Sequence, residues 1–165
     1  MDDAPEGLGP RTGVFEEFVS AIEPGLRRAL VAGYGSEVGR DAATDALAWA
    51  WQNWARVSDL SNPAGYLYRV GQSAARAQLR QRKKAIPLAG VQLPALEEDR
   101  AFEPALARAL AALSPRQRAA VILVHGFHYS LTDAAGVMGC TESAVRNHIT
   151  RALKNLRRAL GVSDG

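Results

Sequence analysis

The sequence predicts an all-α protein made of two small helical domains joined by a linker, and three observations lead there. Apolar residues recur at three- and four-residue intervals along most of the chain, and no stretch alternates apolar and polar residues as a half-buried strand would. Capping residues and prolines stand at the points where those helical periods begin. Between residues 85 and 104 the period stops and the charge turns from basic to acidic. A chain of 165 residues, 47% hydrophobic, is enough for one ordinary domain or two small helical ones, and the pattern favours two.

Residues 1–11, rich in Asp, Gly and Pro, read as a tail. Val14, Phe15, Phe18, Val19 and Ile22 then form one apolar helical face. Pro24 is expected to interrupt or kink this helix, with Leu26 and Leu30 continuing it to a turn at Gly33-Tyr34-Gly35-Ser36. Ala42, Ala43, Ala46, Leu47, Ala50, Trp51 and Trp54 mark a second helix whose alanines permit close approach. Asn62-Pro63 starts a third: Asn can cap free amides, and proline's missing donor is harmless at the first helical position. This helix is expected to run from Pro63 to about Lys84, closing a first domain over 12–84. Its basic residues, Arg69, Arg76, Arg80, Arg82, Lys83 and Lys84, have no acidic residue among them, which suits a phosphate-facing surface.

Residues 85–104, with Pro87, Gly90, Pro94, Glu97, Glu98 and Asp99, read as a tether, and a second domain is expected over 105–163. Ser114-Pro115-Arg116-Gln117 has the form of a capping box with proline at the first helical position. Ala120, Val121, Leu123 and Val124 supply core contacts. Ser130-Leu131-Thr132-Asp133 opens another helix, Gly139 suits the turn that ends it, and Val145, Ile149, Leu153, Leu156 and Leu160 form the inward stripe of the last helix. That order is a helix-turn-helix, with an outward face able to enter a DNA major groove.

On that face Arg146 and Asn147 suit bidentate bonding to guanine and adenine edges, with Glu142, Ser143 and Thr150 as further base-edge candidates. Arg151, Lys154 and Arg118 are candidates for phosphate. In the first domain Trp54, Tyr66, Tyr68 and Arg69 bracket the 58–65 loop, where aromatic rings could stack on unpaired bases at about 1–3 kcal/mol each.

Other chemistries are not encoded. Cys140 is the lone cysteine, so no intrachain disulfide can form, and with His125, His128 and His148 it makes no metal-ligand spacing. There is no phosphate-cradling glycine motif, nucleophile elbow or carboxylate pair, so neither an enzyme nor a cofactor is expected. No run approaches the roughly 18 apolar residues of a membrane span, and the start is acidic where a secretory signal is basic. A cytoplasmic protein without membrane association is expected.

The layout resembles the extracytoplasmic-function (ECF) sigma factors, small bacterial initiation factors that keep sigma regions two and four joined by a linker. The resemblance rests on Leu113 to Arg118, the 130–138 helix, Gly139-Cys140 and the 145–152 helix, which correspond to region four. It rests also on Arg40 to Trp51 and Asn62 to Val70 with the basic tail to Lys84, corresponding to region two. It implies that the second domain reads the upstream promoter element, about 35 bases before the start. The first would read and melt the element about 10 bases before it, through Trp54, Tyr66, Tyr68, Arg69, Ser73, Arg76, Arg80 and Arg82. It further implies that Asp41, Thr44, Asp45, Ala48 and Trp51 grip core RNA polymerase, and that promoter DNA and an anti-sigma factor are partners. Ser73 and Ala77 stand where the family places Asn and Asp, and His148 where it commonly has a basic residue. The alternative is a sigma-like helix-turn-helix regulator that binds DNA without initiating.

Overall fold

The computed structural model describes residues 9–85 and 104–162. Eight α-helices follow in order: α1 (Gly9–Tyr34), α2 (Ser36–Gln52), the single turn α3 (Trp54–Val57), α4 (Pro63–Ala85), α5 (Pro104–Ala111), α6 (Pro115–Val121), α7 (Leu131–Met138) and α8 (Glu142–Leu160). A π-helical turn, Ile122–Gly126, extends α6. No strand occurs among the described residues, so the all-α expectation holds. The tail expected over 1–11 gives way to α1 at Gly9, and most of the expected tether, 86–103, lies outside the described residues.

Pro24 does not end α1, which continues through it to Tyr34. Proline removes one backbone donor and crowds the preceding turn. Leu26, Ala29 and Leu30 directly after it are buried to 1% exposure or less, and that packing holds the helix on course. The α1–α2 corner is tight: a Cβ on Gly39 would lie 2.4 Å from Val31 Cα, so only glycine lets the two backbones cross there. Beyond it α2 buries Ala42, Ala43, Ala46 and Ala50 against its neighbours, the small side chains keeping the axes close.

Helix starts follow the capping chemistry read from the sequence. Asn62 Oδ1 accepts from the Gly65 amide, Ser114 forms the full capping box with Gln117, and Ser130 Oγ accepts from the Asp133 amide. Each satisfies an amide that the helix itself leaves without a partner.

The two halves pack on each other. Helix α1 lies against α6 and α7, and α4 against α7, so that Leu30, Leu67 and Tyr68 of the first half share one apolar core with Leu123, Met138 and Val145 of the second. Arg118 sits inside this junction.

Candidate nucleic-acid interface

Helix α8 is built to present one polar face. Thr141 Oγ1 accepts from the Ala144 amide at its start, and Gly139, in the left-handed region at φ 63°, ends α7 two residues earlier. Thr132 Oγ1 on α7 donates to Glu142 Oε1 at 2.6 Å, tying the two helices across the turn. Val145, Ile149, Ala152 and Leu156 face inward. Leu153 is only partly buried and Leu160 is 39% exposed, because the core ends before the last turn reaches it.

Glu142, Ser143, Arg146, Asn147, Thr150, Arg151 and Lys154 are all exposed on the opposite side of α8. Arg146 lies 4.0 Å from the Glu142 carboxylate, an exposed pair worth about 0–1 kcal/mol, so the guanidinium is easily released to a base edge. His148 is half-buried beside them. Burial, then the nearby Arg116 and Arg151 cations, hold its pKa below the usual imidazole value. It is therefore neutral at neutral pH and adds no cation to this face.

Arg118 corrects the sequence expectation. Only 3% exposed, it donates to the carbonyls of Ala32 and Gly33 at the end of α1, to those of Leu110 and Ala111 at the end of α5, and to that of Leu113 just beyond it. A guanidinium whose donors are spent on five carbonyls cannot hold phosphate. It caps two helix ends and joins the halves. Its pKa is lowered by that burial, yet an arginine stays charged.

In the first half the basic residues divide. Arg69, Ser73, Arg76 and Arg80 recur at four-, three- and four-residue steps and form one exposed stripe along α4. Arg82 leaves this stripe: its Nη2 pairs with Glu37 Oε1 at 2.5 Å, fastening α4 to α2, and this bond raises its pKa. Tyr68 is also misplaced by the sequence reading. It is 1% exposed, and burial pushes its hydroxyl far above the usual phenol range. Trp54 packs on Phe18 and Phe15, with centroids 4.8 and 5.2 Å away, and serves an aromatic cluster under α1. Tyr66 is the exception. Half-buried, it lies 5.5 Å from Trp49 with the Arg56 guanidinium 5.7 Å over its ring, leaving an aromatic and cationic edge at the surface. Arg56, Trp49 and Thr132 were not singled out from the sequence. The recurrence of Trp49 and Arg56 around the 58–65 loop was the available signal for two of them.

Asp41, Thr44, Asp45, Ala48 and Trp51 are exposed along one side of α2. Asp41, Thr44 and Asp45 line a shallow groove with Ala74, Ala77, Gln78 and Gln81 of α4, and Gln78 Nε2 donates to Asp41 Oδ2 at 3.2 Å. The groove is acidic and amide-rich, suited to a basic protein surface. Among the described residues no three His, Cys, Asp or Glu side chains gather as metal ligands, and no helix is long and apolar enough to cross a membrane.

Residues 104–156 match the family described as Sigma-70, region 4. The ECF RNA polymerase sigma factor SigM of Mycobacterium tuberculosis is 34% identical over 130 residues, covering 76% of this chain and 66% of that protein. The RNA polymerase sigma-E factor of Streptomyces coelicolor is 31% identical over 157 residues, covering 91% of this chain and 88% of that protein. The fold is similar to that of the sigma factor RpoE from Bartonella quintana, solved with the anti-sigma factor NepR. The TM-score is 0.65 and the identity 23%, over 91% of this chain and 98% of that one. It is also similar to CnrH, solved with the cytosolic domain of CnrY, with a TM-score of 0.53 and 20% identity over 93% and 91% of the two chains. With a helix-turn-helix of the region-four kind and near full-length likeness to curated relatives, the chain belongs to the ECF sigma factors of bacterial RNA polymerase.

Proposed function

We propose that this chain directs core RNA polymerase to promoters and takes part in opening them, the polymerase supplying the chemistry. The observation that carries the reading is the face of α8, where Arg146, Asn147 and Thr150 stand exposed on a helix capped at both ends and backed by Val145 and Ile149. Arg146 and Asn147 read base edges of the upstream element, Ser143, Glu142 and Thr150 flank them, and Arg151 and Lys154 hold phosphates. Glu142 also orients the turn through Thr132.

In the first half, 12–84, the stripe Arg69, Ser73, Arg76 and Arg80 follows the backbone of the downstream element, with Tyr66 as the ring available for an unstacked base. Asp41, Thr44, Asp45, Ala48 and Trp51 receive the polymerase. Residues 85–104 tether this half to 105–163. Such a factor works in the cytoplasm, is not itself an enzyme and needs no cofactor. The partners named for RpoE and CnrH support an anti-sigma factor as a further partner.

The test is co-migration with core RNA polymerase on size-exclusion chromatography, followed by footprinting on genomic fragments. Co-migration and footprints covering two spaced upstream elements are expected. Footprints on one element, with no association with core enzyme, would instead identify a sigma-like regulator.

A further inference from the structure

Glu142 is the only acidic residue of α8, a helix that also carries Arg146, Arg151, Lys154, Arg157 and Arg158. It stands on the face assigned above to the upstream element, with its side chain 45% exposed. An anion carried toward DNA is repelled by the phosphates on both sides of the groove, so a place among these cations needs a compensating contact. Part of the account is local, because a carboxylate in the first turn favours the positive end of its helix. Any rotamer near the helix start would serve that purpose.

The carboxylate is nevertheless held in one direction. Thr132, on α7, donates its hydroxyl to Glu142 Oε1 at 2.6 Å across the turn. Both ends of this bond are themselves fixed. Ser130 Oγ accepts from the Asp133 amide at the start of α7, and Thr141 Oγ1 accepts from the Ala144 amide at the start of α8. Arg146 lies one turn further along α8, within reach of a glutamate four residues before it, and a closed pair of this kind sits at about 2.7–2.9 Å. Here Glu142 Oε2 stops 4.0 Å from Arg146 Nη2. Thr132 thus anchors one carboxylate oxygen, and the other keeps acceptor capacity that Arg146 does not take up.

We propose that Glu142, positioned by Thr132, determines specificity in the upstream element by accepting from an exocyclic amino group in the major groove, either cytosine N4 or adenine N6. The proposal rests on the upstream-reading role given to α8 above. Cytosine and adenine each present a donor in the major groove, whereas guanine and thymine present acceptors at the corresponding place. A carboxylate has no hydrogen to offer an acceptor, so against guanine or thymine the anion meets lone pairs and phosphates with nothing to offset them. The contact therefore selects largely by what it excludes. Arg146 is the complement, since a guanidinium only donates and suits the two acceptors of guanine. By holding the carboxylate off Arg146, Thr132 keeps an acceptor and a donor side by side. A carboxylate folded onto the guanidinium would blunt both.

Selection from a randomised duplex pool tests this, with the bound fraction sequenced for the full-length chain alone and assembled with core RNA polymerase. The wild type should show one position at which cytosine or adenine is preferred, and the base that wins there identifies the amino group. Glu142→Gln still accepts from Thr132 but adds a donor and removes the charge. It should flatten that position by at least about fivefold, keep the remaining positions, and bind a scrambled duplex more tightly. Thr132→Val, close in shape but without the hydroxyl, should flatten the same position and also weaken the preference for guanine read by Arg146. Thr132→Ser should restore both, and in a Glu142→Gln background Thr132→Val should change nothing further at that position. A preference profile that Glu142→Gln leaves intact would sink the proposal while the upstream-reading role stood. So would weakening at all positions alike together with a lower melting temperature, which is what a helix-start carboxylate alone would give. If the wild type enriched no motif, the upstream-reading role would fail and the proposal with it.

Discussion

Arg118→Met removes the guanidinium from the junction while keeping an unbranched apolar stem of similar length. Ala32 and Gly33 are among the last four residues of α1, whose carbonyls have no intrahelical partner, and both accept from Arg118. Leu110, by contrast, also accepts from the Leu113 amide. The Leu113 carbonyl likewise accepts only from Arg118 among the described residues, so three buried acceptors are stranded at about 1–3 kcal/mol each, offset in part because a desolvated cation is no longer buried. The expected net loss is about 3 kcal/mol, or roughly 6–12 °C in melting temperature for a chain of this size. Urea unfolding followed by circular dichroism at 222 nm measures it. Arg118→Lys keeps the charge but lacks the planar fork that spans carbonyls on both sides, so it should recover less than half of the loss. A change below about 1 kcal/mol for Met would refute the assignment of Arg118 as the bolt between α1 and the second half.

Arg146→Ala and Asn147→Ala should each weaken specific binding to the upstream element by about 1–3 kcal/mol, read by fluorescence anisotropy against a scrambled duplex. Arg80→Ala should weaken binding to all sequences alike and lower the salt slope by about one, checked by titrating salt. Thr141→Ala removes the α8 cap and should cost about 1 kcal/mol in a denaturant melt, with Thr141→Ser restoring most of it. The pH dependence follows from His148, whose folded-state pKa is depressed, first by burial. Below the unfolded-state pKa of about 6.5 the unfolded chain takes up a proton that the folded one refuses, so stability falls as pH drops from 7 toward 5. His148→Gln should flatten that part of the profile, measured by melts at a series of pH values.

Much of this architecture is legible in local chemistry, because caps and periods act within a few residues. Asn62, Ser114, Ser130 and Gly139 each announce a helix boundary through a bond or a backbone angle that the residue type itself favours. The outward face of α8 follows from its inward stripe. The errors lie where distant segments decide. Pro24 reads as a break or a kink, and of the two the break does not occur, because the burial of Leu26 and Leu30 outweighs the lost donor. Arg118 reads as a surface cation by type, although it stands three and four residues before Val121 and Ile122, on the buried face of its helix. Tyr68 reads as a ring bracketing the 58–65 loop, and Arg82 as one of a run of cations with no acidic residue among them. Burial beside Tyr34, Arg116 and Cys140 takes Tyr68 inside, and Glu37 pairs with Arg82, all partners far away along the chain.

The most direct test of the promoter-directing role is multi-round transcription by purified core RNA polymerase on genomic fragments, with start sites mapped for the wild-type chain and for Arg146→Ala/Asn147→Ala. New start sites that share two spaced upstream elements, present with the wild type and lost with the double variant, are the expected result. Binding of DNA without new start sites, or start sites unchanged in the double variant, would contradict it.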